Sequence, residues 1–272
     1  QAVELAEVRE NTLFTIPRLL ARISKAGAKP DALAVDYSDI AGRYRILAIC
    51  ALLLDADGER FRGFLQKAAQ TRLQLLKLGL KPEREVLEIV CESMNLELFD
   101  AVAGGDLPTA AALAKSSPGR HIPDIEYEDD FLLYRFFGLL ALQLHEGKQA
   151  PLEELAERWQ AVLEGGEDPY LDVSRALLAR DSKKLGTAIT RLIESRDERI
   201  EQWWEDLSMD PATRLANSLV FVNGLALLRF AELLGLKTRS DYKFMPSMAR
   251  VPSKPRILAE GSWREPLSNL NN

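Results

Sequence analysis

Tyr44-Arg45-Ile46-Leu47-Ala48-Ile49-Cys50-Ala51-Leu52-Leu53-Leu54 is an apolar run that ends abruptly at Asp55-Ala56-Asp57-Gly58. It is apolar all round the helical wheel, so it reads as the second half of a central, buried helix rather than a surface one. The Asp/Gly turn reverses the chain. A further helix is expected from Glu59 to Leu78, buried through Phe61, Phe64, Leu65, Ala68, Leu73, Leu75 and Leu76 and stopped at Gly79. The helix–turn–helix theme recurs. Tyr134-Arg135 opens another apolar run that closes at His145-Glu146-Gly147, Ala101 to Asp106 precedes a small-residue helix, and Ala176 to Asp181 precedes a long one.

Upstream, residues 2 to about 25 carry apolar side chains at helical spacing, with Pro17 expected to break or kink them or to start a second helix at its first turn, and Asp36 or Ser38 to cap the next helix. Pro82 should start a helix through Val86 and Met94, and Pro108 another after Gly104-Gly105-Asp106. Residues 116–126 hold Pro118, Gly119, His121 and Pro123 and form the longest irregular connection. Pro151 opens a helix that Gly165-Gly166 stops, and 170–179 make a short one. Asp181 or Ser182 caps a long amphipathic helix through Leu185, Ile189, Leu192, Ile193, Ile200, Trp203 and Leu207. The last strong helix is expected to run from Asp210-Pro211 through Leu234, its apolar stretch from Leu219 interrupted by Asn223, Arg229 and Glu232, which must be paired if buried. Residues 246–272, with four prolines, read as an extended or disordered tail unless they pack along the body.

The chain is therefore expected to be an all-α, multi-helix bundle of antiparallel hairpins over residues 1–245, with 246–272 as the tail. Two diverged modules, 40–115 and 130–207, give it a weakly repeat-like character. Tyr134 follows Tyr44 by 90 residues but Asp181 follows Asp106 by 75, so no strict tandem repeat is present.

Composition narrows function by subtraction. The 272 residues are 47% hydrophobic, 28% charged and only 7% aromatic, the balance of a soluble Leu/Ala-rich helical chain. A net charge of −6 disfavours direct DNA or RNA binding and suits a partner with a basic surface. No run is expected to span a membrane. Cys50 and Cys91 lie in apolar stretches and read as buried thiols of a reducing, cytoplasmic compartment. The chain starts at Gln1 rather than Met, from which a trimmed start is expected. His121 and His145 are the only histidines, and neither has a metal-ligand neighbour at zinc spacing. No nucleophile elbow or phosphate-cradling glycine loop is present. Asp55, Asp57 and Glu59 only faintly suggest calcium, because Gln66 stands where a bidentate Glu belongs. No catalytic residue, metal or cofactor is expected.

Two polar or aromatic features remain. Asp124-Ile125-Glu126-Tyr127-Glu128-Asp129-Asp130 holds five carboxylates in seven residues, either a solvated helix start that complements the helix dipole or an acidic contact patch. Trp203-Trp204 sends two rings about 100° apart from one helix, one toward the core and Trp204 outward as an interface anchor.

The stretch Phe221-Val222-Asn223-Gly224-Leu225-Ala226-Leu227-Leu228-Arg229-Phe230-Ala231-Glu232-Leu233-Leu234-Gly235-Leu236, followed by Tyr242 and Pro246, resembles the immunity protein 49 family. The Ala176–Asp181 hairpin and the Trp203-Trp204 helix are also similar to it, and the resemblance covers about residues 40–250. A related group of immunity proteins paired with nuclease toxins is similar over 130–250. Its members usually carry a Gly-Tyr-Trp and Glu signature where this chain has Phe221-Val222-Asn223-Gly224. Residues beyond Met248 match neither pattern. The resemblance implies a cytoplasmic antitoxin that binds and occludes a cognate toxin delivered between bacteria, as in type VI secretion and interbacterial competition. The toxin is often a nuclease with a cationic cleft. Asp124, Glu126, Glu128, Asp129, Asp130 and Trp204 are the expected contacts. A helical-repeat adaptor or chaperone, and a helical enzyme without a familiar motif, stand as the other readings.

Overall fold

The computed structural model describes residues 2–25, 27, 29–81, 83–205 and 209–265, so Leu207, Pro82 and residues 266–272 of the expected elements lie outside the described residues. Among the described residues the chain is all-α, a multi-helix bundle of twelve α-helices with no strand. In order they are α1 Ala2–Ile23, α2 Pro30–Asp55, α3 Gly58–Lys77, α4 Arg84–Val90, α5 Glu97–Ala103, α6 Leu107–Ser116, α7 Glu128–Glu146, α8 Leu152–Val162, α9 Pro169–Leu178, α10 Ser182–Glu205, α11 Pro211–Leu219 and α12 Val222–Leu233. One connected core reaches from Leu5 to Trp263. No single helix among the described residues is long and apolar enough to cross a membrane.

The punctuation is chemically uniform. Asp57, Asp106, Asp168, Asp181 and Asp210 each accept hydrogen bonds from backbone N–H groups in the first turn of the following helix. These aspartates satisfy donors that a helix start leaves unpaired. The turns after α5 and α9 share one geometry. Asp106 N donates to Ala101 O and Gly105 N to Val102 O; Asp181 N donates to Ala176 O and Arg180 N to Leu177 O. Both are Schellman closures with a left-handed residue, Gly105 or Arg180, next to the Asp. The recurrence in the sequence thus has a backbone counterpart.

α2 lies at the centre, packed on α1, α3, α4 and α11. Tyr44 to Leu52 are buried, in keeping with their all-round apolar character. Three expectations need correction. α1 runs unbroken through Pro17, because Ile16 and Leu19 on either side are buried and their packing holds the turn. α2 begins at Pro30, so Asp36 and Ser38 are interior residues and not caps. Asp36 is buried and accepts from Arg22 Nε at 3.1 Å, tying α2 to α1. The last long helix is two helices, broken at Val220-Phe221 and bent by 41°.

Residues 246–265 pack along α3, largely extended between two short 3-10 turns, Ser247–Ala249 and Ser262–Arg264. Arg62, Gln66 and Gln70, four residues apart on one face of that helix, hold the passing backbone. Arg62 Nη1 donates to Arg250 O at 3.1 Å, Gln66 Nε2 to Arg256 O at 2.8 Å and Gln70 Nε2 to Ala259 O at 3.1 Å, while Leu258 N donates to Gln66 Oε1 at 2.8 Å. Lys67, fully buried, donates to Glu265 O, and burial lowers its ammonium to about 8. Trp263 plugs the end of the segment, 3% exposed, with its carbonyl accepting from the Tyr44 hydroxyl.

Glycine makes the close approach feasible. A Cβ on Gly58 would sit 2.2 Å from Met248 O, inside contact distance. Helix propensity alone favours Gly58→Ala by up to about 1 kcal/mol. The steric conflict should win and lower stability by about 1–3 kcal/mol. Urea denaturation of Gly58→Ala, with limited proteolysis after Arg250 as a reporter of the released segment, checks this. A raised midpoint would show that 246–265 does not lie against α3.

Candidate functional site

The break between α11 and α12 builds the site. Val220 (φ −130, ψ 132) is extended, so the helical ladder stops there. Phe221 N donates instead to Phe244 O at 2.9 Å. The carbonyls released by the break find their donor on α10: Arg196 Nη2 bonds Asn217 O and, at 3.4 Å, Val220 O. Arg196 is 4% exposed, and its guanidinium lies 4.8 Å from the Phe221 ring and 4.5 Å from the Phe244 ring. Burial pulls this guanidinium down to about 10, so it stays charged at neutral pH. Gly224 is required one turn into α12, since a Cβ there would sit 2.4 Å from Met245 Sδ and 2.5 Å from the Phe221 ring.

Opposite Arg196, Arg45 reaches out of the middle of α2. It is 7% exposed and bonds three helices at once: Asp100 Oδ1 of α5 at 2.7 Å, Asn217 Oδ1 of α11 at 3.2 Å and Asn223 Oδ1 of α12 at 2.9 Å. Asn223 in turn donates to the Tyr170 hydroxyl of α9 at 3.4 Å. Asn223 is therefore a member of a buried network, as its polarity in an apolar stretch requires. Arg229 and Glu232, half-buried, pair with each other, and Glu232 also pairs with Arg250 beyond the helix. Loss of hydration raises the Asp100 carboxyl to about 7 even though the Arg45 charge opposes that shift and Glu97 adds to it.

Between Arg45 and Arg196 lies a cavity of about 270 Å³. Tyr134, Tyr170 and Phe221 supply its walls. Asp130, Arg199 and Trp203 also line it; Asp130 and Arg199 are exposed and mark its mouth, and Trp203 is half-buried. Three guanidiniums, Arg45, Arg196 and Arg199, face this space against Asp130 at the mouth and Asp100 behind Arg45. It is a locally cationic recess in a chain whose net charge is −6.

The acidic turn splits into two kinds of carboxylate. Glu126 is structural: Ser93 N and Ile122 N donate to its two oxygens at 2.8 and 3.1 Å. Glu128 pairs with Arg158 of α8. Asp124, at φ +68, and Asp129 form no ion pair among the described residues, nor does Asp130. Partial desolvation, then the neighbouring Asp129 and Asp168 carboxylates, raise Asp130. Of the five expected contact carboxylates, Glu126 and Glu128 thus have partners within the chain, and Asp124, Asp129 and Asp130 form no ion pair among the described residues. The three at the start of α7 also complement its dipole. Trp204 is 48% exposed with the Arg214 guanidinium 5.3 Å from its ring, and Trp203 turns inward.

The thiols are poorly placed for nucleophilic chemistry. Burial pushes Cys50 up to about 12, and Cys91 also upward, away from the thiolate. His121 is engaged with Glu126 O at 2.9 Å. Arg45, Arg196 and Tyr170 escaped notice in the sequence. Arg45, a lone cation in an eleven-residue apolar run, was the available signal.

Comparison with protein-family models, curated proteins and solved structures finds no match.

A carboxyl whose folded pKa is raised above the unfolded value of about 3.9 binds its proton more tightly when folded, so stability falls as pH rises between those two values. For Asp100 the window runs from about pH 4 to about 7, with a slope of at most about 1.4 kcal/mol per pH unit from this one group. Asp100→Asn should flatten the decline between about pH 4 and 7 in denaturant titrations. An identical slope in the variant would mean that Asp100 does not carry it.

Proposed function

We propose that the chain is a binding protein of the immunity type, an antidote that neutralises a cognate bacterial toxin by covering its active cleft, with no chemistry of its own. One observation carries this reading. The acidic turn and the tryptophan pair, far apart in sequence, converge on a common mouth, where Asp130 and Trp203 line the same cavity. Tyr127, 80% exposed, and Trp204, 48% exposed, belong to the same two segments. Large aromatic rings near unpaired charges are the composition of an interface anchor. The resemblance of 221–246 to the immunity protein 49 family supports the same reading.

On this account Asp124, Asp129 and Asp130 face the cationic cleft of a toxin, possessed by a nuclease for its own substrate. Glu126 and Glu128 hold the turn in shape. Charge complementarity sets the encounter rate, and Trp204 supplies desolvated contact. An adaptor reading has one observation in its favour, the α3 face that grips an extended backbone, but that face is already filled by residues 246–265 of the same chain.

The test is an affinity pull-down with this chain from its native bacterium and co-expression with the toxin domain recovered, scored by growth, together with surface plasmon resonance on the purified pair; recovery of housekeeping proteins alone overturns the reading. Trp204→Ala should weaken binding by about 2 kcal/mol, near thirtyfold. Asp129→Lys with Asp130→Lys should slow association, most strongly at low salt. If both variants bind and protect as well as the parent chain, the mouth is not the contact.

A further inference from the structure

The cavity has a property that the antidote reading does not use. Arg196 lines it, is 96% removed from solvent by its 4% exposure, and keeps Nη1 buried with no hydrogen-bond partner. No carboxylate pairs with Arg196 among the described residues. A buried guanidinium N–H without an acceptor is costly, and on a residue that lines a recess it is a group that an incoming acceptor would satisfy after a small side-chain adjustment. At the mouth Arg199 is exposed and forms no ion-pair contact with a described residue, although its charge is near enough to Asp130 and Asp168 to favour their ionised forms. Arg45, by contrast, is spent on Asp100, Asn217 and Asn223 and serves as the rigid floor.

The walls say what the acceptor is attached to. Tyr134, Tyr170, Trp203 and Phe221 are flat and largely apolar, and the 270 Å³ between them is the size of a small molecule or a single large side chain. Planar guanidiniums recognise carboxylate and phosphate oxygens in forked geometry, and ring walls favour a flat body behind them.

We propose that this cavity is a binding site for an oxyanion, a carboxylate or phosphate, carried on a small flat apolar body, with Arg196 and Arg199 as the recognising groups. The ligand is either a free small acid or the terminal or side-chain carboxylate of a protein segment. The inference goes beyond the antidote reading and does not depend on it.

The experiment titrates the full chain at low salt by calorimetry, with Trp fluorescence as a second readout. The probes are benzoate, phenyl phosphate, benzyl alcohol as the uncharged control, and the tripeptide Gly-Gly-Phe as free acid and as amide. Saturable binding of the anionic probes, with benzyl alcohol and the amide at least tenfold weaker, is the expected result. Loss of one charge-assisted bond in Arg199→Gln should weaken the anionic probes about tenfold. The melting temperature should hold, because Arg199 is exposed. Arg196→Lys, which keeps the charge but loses the fork, should weaken them as well. Preference for the peptide acid over benzoate and phenyl phosphate assigns the ligand to a protein segment, and the reverse preference assigns it to a free acid. Absence of saturable binding by every anionic probe overturns the proposal. So does equal binding of benzyl alcohol, or unchanged affinity in Arg199→Gln. Growth protection scored on the same variants separates failure here from failure of the antidote reading.

Discussion

A buried cation in the middle of the central helix organises this protein. Arg45 sits among residues that would otherwise make α2 a purely apolar rod, and a guanidinium taken out of water must find acceptors or destabilise the fold. It finds them on Asp100, Asn217 and Asn223, so α5, α11 and α12 are located relative to α2 by directional bonds as well as by packing. Apolar contact alone would tolerate many rotations of one helix against another. Hydrogen bonds at 2.7 to 3.2 Å tolerate few.

The second constraint follows from the first. To bring both Asn217 and Asn223 to Arg45, the chain cannot continue as one straight helix, and it breaks at Val220-Phe221. Freed carbonyls in a protein interior need donors, and Arg196 supplies them from α10 between two phenylalanine rings. The recess lies at this break, lined by Asn217, Val220, Phe221 and Asn223. Fold and site therefore share residues: the same arginines that satisfy the interior define the cationic floor and wall.

Much of the architecture was legible in residue patterns. Helix-long apolar periodicities, Asp caps and Gly or Pro stops marked most elements, because helix ends are governed by local backbone donors and acceptors. The misjudged places were those where a distant contact overrides a local rule. Pro17 stays inside α1 because Ile16 and Leu19 are packed. The 211–234 run breaks although its composition reads as one helix. Val220-Phe221-Val222 offered a hint, since β-branched and aromatic residues lose rotamer freedom in helices. The polar row Arg62, Gln66 and Gln70 on a buried face of α3 was the mark of the extended segment, visible only once its partner 246–265 was in place.

The candidate site was legible in its parts and not in their meeting. The acidic turn and Trp203-Trp204 stood out by composition, because carboxylate density and paired tryptophans are local properties. That Glu126 and Glu128 are tied inward, while Asp130 and Trp203 share a mouth, depends on side chains from α7, α8 and α10 whose proximity no local rule encodes. The sequence by itself determined an all-α chain, its turns and its buried central helix, since periodicity and capping act within a few residues. Tertiary structure alone decided the break at Val220-Phe221, the docking of 246–265 and the cationic recess. Each of these arises from satisfying buried polar groups across elements far apart in the chain.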